Sequence, residues 1–534
     1  MPAAEGEVQA EEDVPTDRDV PTAGPPVRTV TGVSPQLGSH RRGVAGVAAL
    51  DPDRVALIDG DRRMTYGELD QRANGLAHEL AELGVGPGDG VGIMMHNRAE
   101  WFIASHGLTR VGAMFVPVSW RLTPPEVDYM VHDSGMKALV TEGGARVAGV
   151  RTFDVDDPGF AGPVDRPPRD DYLNTGPTIM GYTSGTTGRP KAVERPAPQP
   201  AAEATTSAVA AFWGYGPDTV QLVSGPLYHT APSAYAEYAL WEGGRAVLQD
   251  RFIGEQCVRL IEEHRVTRAT MVPAHFVRIL EADWAAYDRS SVRLVMHAAA
   301  PCPAPVKWRI MEVFPPGTVW EFYGATEGMG TVISPGEWLF KPGSVGRPFP
   351  GIRVRILDER GRDLPPGEVG GIYLSSMSGF AFAYRGDTEK TARAYRDDFF
   401  TVGDLGWLDD DGYLYLADRR TDLILSGGVN IYPAEVEEAL SADSAVVDSA
   451  VIGLPDDRMG QRVHAIVELR PGETPDAEAI LRRLAERLAD FKRPKTIEFV
   501  DELPREPTGK VRKHQLREER SGAPAAGTVE PEGR

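Results

Sequence analysis

The stretch Tyr182-Thr183-Ser184-Gly185-Thr186-Thr187-Gly188-Arg189-Pro190-Lys191 follows the apolar pair Ile179-Met180. This pattern predicts a short strand that runs directly into a polar, glycine-rich loop. Gly185 and Gly188 let backbone N–H groups approach an anion closely. The hydroxyls of Thr183, Ser184, Thr186 and Thr187 and the Lys191 ammonium add further donors. A turn of this composition suits a polyphosphate. It is not a Walker A loop, because Pro190 stands where that motif needs glycine and Ala192 where it needs Ser or Thr to hold Mg²⁺.

Working outward, strands and helices alternate on both sides. Leu69, Ala73, Leu76, Leu80 and Leu83 recur at helical spacing, and Gly84 and Gly86 mark the stop. Short apolar runs at 91–95, 113–118 and 138–141 read as buried strands, separated by helices starting at Arg98 and after Thr123-Pro124-Pro125-Glu126. The pattern continues with a strand at 246–248, a helix at 254–264 and a strand at 269–272. Strand–helix alternation predicts an α/β fold with layered, mostly parallel sheets. From Gly351 the texture changes to short segments at 352–357, 371–374 and 413–417, as in a β-subdomain. After about residue 420 a smaller α+β pattern follows: a helix at 434–440, strands at 445–452 and 464–469, and a helix at 476–489. The expected organisation is an acidic disordered tail (1–40), a large N-terminal domain (41–420), a small C-terminal domain (421–519) and a second tail (520–534).

The bulk numbers exclude several classes. The 534 residues are too many for one core. The net charge of −21 gives no global attraction for nucleic acid or an anionic membrane, so neither is an expected partner. An anion site must then be assembled locally. No secretory signal is read at the start and no apolar run is long enough for a membrane span. The only cysteines are Cys257 and Cys302, which make no disulfide framework, so a cytoplasmic location is expected. A monomer or homodimer is expected.

Four further motifs stand out: Tyr323-Gly324-Ala325-Thr326-Glu327-Gly328, Phe400-Thr401-Val402-Gly403-Asp404-Leu405-Gly406, Asp418-Arg419-Arg420-Thr421-Asp422 with Gly427-Gly428, and Pro504-Arg505-Glu506-Pro507-Thr508-Gly509-Lys510. With the first loop, and in this order, they resemble the adenylate-forming superfamily of acyl-CoA synthetases, non-ribosomal adenylation domains and firefly luciferase. Bacterial acid–CoA ligases are the nearest in kind. The resemblance runs from about residue 48 to residue 514.

It implies that ATP lies on the Thr183–Lys191 loop, with Tyr323 against adenine, Gly324 beside it and Thr326 on the α-phosphate. Glu327 would help to hold Mg²⁺, Asp404 would accept from the ribose hydroxyls, and Arg419 would reach ATP. Lys510 would act on the α-phosphate, Thr421 would be the hinge, and Gly427 and Gly428 would line a path for coenzyme A. Taken singly, Glu327 would read as a solvated loop acid and Lys510 as a surface lysine. Two more segments bear on the small-molecule acid. Pro226-Leu227-Tyr228-His229 would place His229 at the acyl site. His297-Ala298-Ala299-Ala300-Pro301 would set Ala299 and Ala300 against adenine. Relatives usually carry glycine at 298, so the Ala298 methyl is expected to narrow the acyl pocket.

The implied activity is formation of an acyl-adenylate with release of pyrophosphate, then transfer to coenzyme A. Two alternatives are adenylation of an inorganic oxyacid such as nitrite and a non-catalytic ATP-binding regulator. Residues 1–20 hold seven acids and one base, too few apolar side chains to cover a core face. Deleting residues 1–40 should therefore leave the melting temperature and turnover unchanged. A large fall in either would show that the segment docks on the folded part.

Overall fold

The computed structural model describes residues 43–162, 166–169, 172, 178–183, 191–194, 207–376, 381–419, 422–426, 429–456, 459–506 and 510–521. The expected first tail, residues 522–534 of the second, Ser184 to Gly188, Thr421, Gly427 and Gly428 lie outside the described residues, while Arg520 and Ser521, expected in the second tail, end the helix Lys513–Ser521. The fold is mixed α/β, with a large N-terminal part and a smaller α+β C-terminal part. Among the described residues no helix is long and apolar enough to cross a membrane.

One sheet is wholly parallel, in the order Arg151–Asp154, Ala138–Thr141, Gly90–Met94, Met114–Pro117, Thr178–Ile179. Beside it the helix Tyr66–Glu82 opens with a capping box: Thr65 Oγ1 accepts from Glu68 N (3.2 Å) and the Glu68 carboxylate accepts from Thr65 N (2.8 Å). Leu69, Ala73, Leu76 and Leu80 are buried, as their spacing requires, but Leu83 is 47% exposed because the helix ends one residue earlier. Gly107 of the helix Ala99–Arg110 lets the two helices close on each other; a Cβ there would lie 3.0 Å from Leu76 Cδ2.

The larger sheet has fifteen strands among the described residues. Its parallel part runs Val55–Asp59, Arg245–Leu248, Val220–Val223, Arg268–Met271, Leu294–His297, Val319–Ala325. Helices cover both faces, so Val220–Val223, Arg268–Met271 and Leu294–His297 are buried along their whole length. That accounts for continuous apolar runs instead of alternation. Arg268 is tolerated there because its guanidinium donates to Gly214 O (2.5 Å) and lies over the Tyr215 ring. The sheet then continues antiparallel from Gly328–Ile333 through Ser344–Pro348 to Leu414–Arg419, Asp404–Leu408 and Gly370–Ser375; the segments read at 352–357, 371–374 and 413–417 correspond to Val354–Leu357, Gly370–Ser375 and Leu414–Arg419.

The C-terminal sheet is built on a long hairpin, Val446–Asp456 with Gly460–Leu469, to which Thr496–Val500 adds in parallel. The strands Ile424–Ser426 and Val429–Ile431 complete it, and the helix Pro433–Ser441 packs over it. The helix expected to reach 489 covers only Ala477–Leu484; Leu488 keeps the apolar period and stays buried, but in turns. Cys257 is enclosed in the helix Gly254–His264, where burial pushes its thiol up to about 12. Cys302 is part-buried against Pro303 O, its thiol also raised by burial.

Gly75 passes so close to the next segment that a Cβ would sit 1.7 Å from Ala161 O. Gly75→Ala should cost about 1–3 kcal/mol through forced backbone displacement and lower the urea midpoint. Gly86→Ala, in open space, is the control and should leave it in place. Equal midpoints for the two variants would mean that the contact yields freely.

Candidate active site

Four segments singled out in the sequence leave the carboxyl ends of parallel strands: 180–183 after Thr178–Ile179, 224–229 after Val220–Val223, 298–301 after Leu294–His297, and 326–328 after Val319–Ala325. Open α/β sheets bind ligands beyond this edge. Thr183 pairs with Lys191, so the antiparallel strands Gly181–Thr183 and Lys191–Glu194 close the base of the 184–190 segment.

Gly181 brings three of these segments together. A Cβ on it would lie 2.7 Å from Thr326 Cγ2 and 3.8 Å from Thr230 Oγ1, next to His229. Tyr384 was not picked out from sequence, yet it links two motifs. The strand Ala383–Tyr384 pairs with Lys191–Glu194, setting Tyr384 opposite Val193. From there the Tyr384 hydroxyl donates to Glu327 Oε1 (2.9 Å). Burial and the Glu327 carboxylate both raise the phenol above its usual range, so it stays a donor. No local signal marked Tyr384, since its partner lies on another sheet.

The Tyr323 hydroxyl donates to Asp404 Oδ2 (2.8 Å), joining two residues expected at the nucleoside. Asp404 is also the register partner of Arg419, so three of the expected nucleotide residues share one sheet edge. Gly324 and Gly328 pack back to back, as a Cβ on Gly324 would lie 2.9 Å from Gly328 O. Ala298 is buried at the end of its strand, and Ala299 takes a left-handed φ of 77°, rare for a residue with a Cβ. Beneath this turn lies a closed polar cluster: His297 is wholly buried, its Nε2 is 3.6 Å from Glu321 Oε2, and buried Lys307 pairs with the same carboxylate. Burial, then Lys307, holds the imidazole well below its ordinary range. Glu327 is buried with one oxygen on Tyr384. A single carboxylate fits Mg²⁺, which takes one or two protein carboxylates and completes its shell with phosphate oxygens and water.

His229 precedes the helix Thr230–Trp241, and its Nε2 is closed to solvent with no hydrogen-bond partner among the described residues. Burial, then the cations of Lys510 and Arg121, depress its pKa to about 4. The charge of Lys510 thus reaches His229, although Lys510 belongs to the C-terminal part. A hairpin holds it there: Arg505 bridges Val511, and Glu506 N donates to Lys510 O (2.7 Å).

Residues 45–381 match the AMP-binding enzyme family, and residues 435–510 match the AMP-binding enzyme C-terminal domain. The chain belongs to the AMP-binding enzyme family. Among its relatives, a fatty acid–[acyl-carrier-protein] ligase of Streptomyces coeruleorubidus is 32% identical, over 91% of this chain and 97% of that protein. A feruloyl-CoA synthase of an Amycolatopsis species is 34% identical, over 88% of this chain and 96% of that protein. The o-succinylbenzoate-CoA synthetase of Bacillus subtilis, solved with its acyl-adenylate intermediate, superposes with a TM-score of 0.79 at 30% identity, over 89% of this chain and 97% of that one. The same synthetase has been solved with ATP and a magnesium ion, at a TM-score of 0.77 and 30% identity, over 89% of this chain and 98% of that one. This member of the AMP-binding enzyme family is an AMP-forming acid ligase.

His229 supplies a pH test. In the unfolded chain its pKa is the ordinary 6.5, and in the folded state about 4. Between these values the unfolded state binds the extra proton, so the stability contributed by this group is complete above pH 6.5 and falls away as pH drops toward 4. The His229 ring signal in NMR should not move between pH 8 and 5, and Lys510→Ala should shift its midpoint upward. A titration near 6.5 in the parent protein would contradict the enclosure described.

Proposed function

We propose that this enzyme activates a small carboxylic acid as its acyl-adenylate and transfers the acyl group to coenzyme A. A carboxylate oxygen attacks the α-phosphorus of ATP, the bond to the β-phosphate bridging oxygen breaks, and pyrophosphate leaves. The coenzyme A sulfur then attacks the acyl carbonyl carbon, giving up its proton, and the carbon–oxygen bond to AMP breaks. The observation that carries the reading is that the charge of Lys510 reaches His229, whose chain neighbour Thr230 lies with Thr326 around Gly181.

Carboxylate and triphosphate repel each other, so the first step needs positioning and a positive field. Lys510 meets the charge that develops at the α-phosphate. Thr183 to Lys191, including Ser184, Gly185, Thr186, Thr187 and Gly188, hold the outer phosphates, and Thr326 holds the α-phosphate. Tyr323, Gly324, Ala299 and Ala300 bound the adenine, while Asp404 and Arg419 take the ribose side. An Mg²⁺ ion held by Glu327, when bound, neutralises phosphate charge. His229, kept neutral, borders the acid without adding a second cation, and Ala298 narrows the pocket. A hinge at Thr421 between residues 41–420 and 421–519 withdraws Lys510 and presents Gly427 and Gly428 to the thiol. The relatives described above are named for carboxylic acids, which gives neither nitrite adenylation nor a purely regulatory role any support.

A panel of acids scored for pyrophosphate release, with and without coenzyme A, tests the activity. Release with no acid in the panel, or a product that never appears as a thioester, would overturn it. Lys510→Ala should slow acyl-adenylate formation about a hundredfold, the loss expected for one preorganised donor. It should spare thioester formation from supplied acyl-adenylate. Adenylation at the parental rate in this variant would refute the role given to Lys510.

A further inference from the structure

The short helix Thr388–Ala394 follows directly on Tyr384, and nothing in the motifs above assigns it a role. Its Lys390 is part-buried, with the ammonium 3.9 Å from the centre of the Tyr384 ring, the same ring whose hydroxyl engages Glu327. Lys191 lies beside it and donates to Asp387 Oδ2 (3.3 Å). Asp387 Oδ1 is already taken by the backbone N–H of Lys390, the cap of that helix (2.9 Å). Among the described residues Lys390 has no ion pair with a carboxylate. Burial and the Lys191 ammonium hold it below the usual lysine range, against a partial pull from Glu327 and Asp387.

Two ammonium groups thus converge at the base of the 184–190 segment. Asp387 caps the helix with one oxygen and meets Lys191 with the other, and Glu327 is held by a tyrosine. Like charges brought together away from bulk water repel, and an anion set between them would convert that repulsion into attraction. The aromatic face of Tyr384 fixes Lys390 in place without neutralising it. Lys390 is also too far along the chain to be part of the glycine-rich loop, so the two cations would approach an anion from separate elements, a helix and a strand.

We propose that Lys390, together with Lys191, forms a clamp for the β- and γ-phosphates of ATP and for the departing pyrophosphate. This rests on the reading of the site as an ATP site. It adds a residue that bears on the leaving group and leaves the nucleoside and α-phosphate untouched.

Direct binding of three probes to the full chain tests the clamp: MgATP, AMP and inorganic pyrophosphate with Mg²⁺. A charge-assisted contact of this kind corresponds to about a tenfold to hundredfold change in affinity. Lys390→Met should weaken MgATP and pyrophosphate by that factor and leave AMP binding unchanged. Lys390→Arg should recover most of the loss. Melting temperatures of both variants, measured alongside, separate a folding defect from a binding one. If Lys390→Met binds MgATP as the parent does, or loses AMP affinity in equal measure, the clamp is refuted while the ATP site stands. If the parent protein binds neither MgATP nor AMP, the ATP site itself falls, and the clamp with it.

Discussion

Gly181 has no side chain, and the arrangement of the site depends on that. Its backbone lies where a Cβ would collide with the methyl of Thr326. This approach lets the strand entering the glycine-rich segment settle directly on the residue that follows the central strand Val319–Ala325. Two pieces of chain far apart in sequence become one surface. The neighbouring strand then carries Lys191, the next carries Tyr384, and Tyr384 reaches back to Glu327. A three-stranded ribbon thus ties these strands to the sheet edge, so a displacement at Gly181 would move Lys191, Tyr384 and the buried Glu327 carboxylate together.

The second constraint is electrostatic. A chain with a net charge of −21 repels polyanions at a distance. Salt screens that repulsion beyond about 8 Å, and within that range local groups decide. The protein places its cations where acids cannot fully neutralise them and keeps His229 and His297 uncharged by burial. Tyr384 is held as a donor by the same means. The charge of the site is therefore set as much by which groups are kept neutral as by which are ionised.

Much of this was legible in the sequence, and what was not has an identifiable cause. The apolar stripe of Tyr66–Glu82 and the unbroken runs of the parallel strands carry their own periodicity, so their type could be read locally. The end of the helix at Leu484 could not, because Leu488 continues the same period and only tertiary contacts distinguish a turn from a further helical turn. The family motifs pointed to Tyr323 and Asp404, and the structure joins them by a hydrogen bond. Tyr384 was missed because its meaning comes from a strand pairing and from Glu327, neither of which leaves a trace in its own neighbourhood. The left-handed Ala299 had no signature either, since glycine, which would have announced it, is absent.

The two cysteines carry a consequence for how the protein meets its surroundings. Only a thiolate attacks a disulfide or an electrophile. Cys257 is enclosed and pushed up to about 12, and Cys302 is raised by burial in the same direction. Both remain protonated at neutral pH. Neither thiol is thus poised for exchange with a sulfur compound in its surroundings. Exchange with a disulfide such as glutathione disulfide is therefore disfavoured at both cysteines.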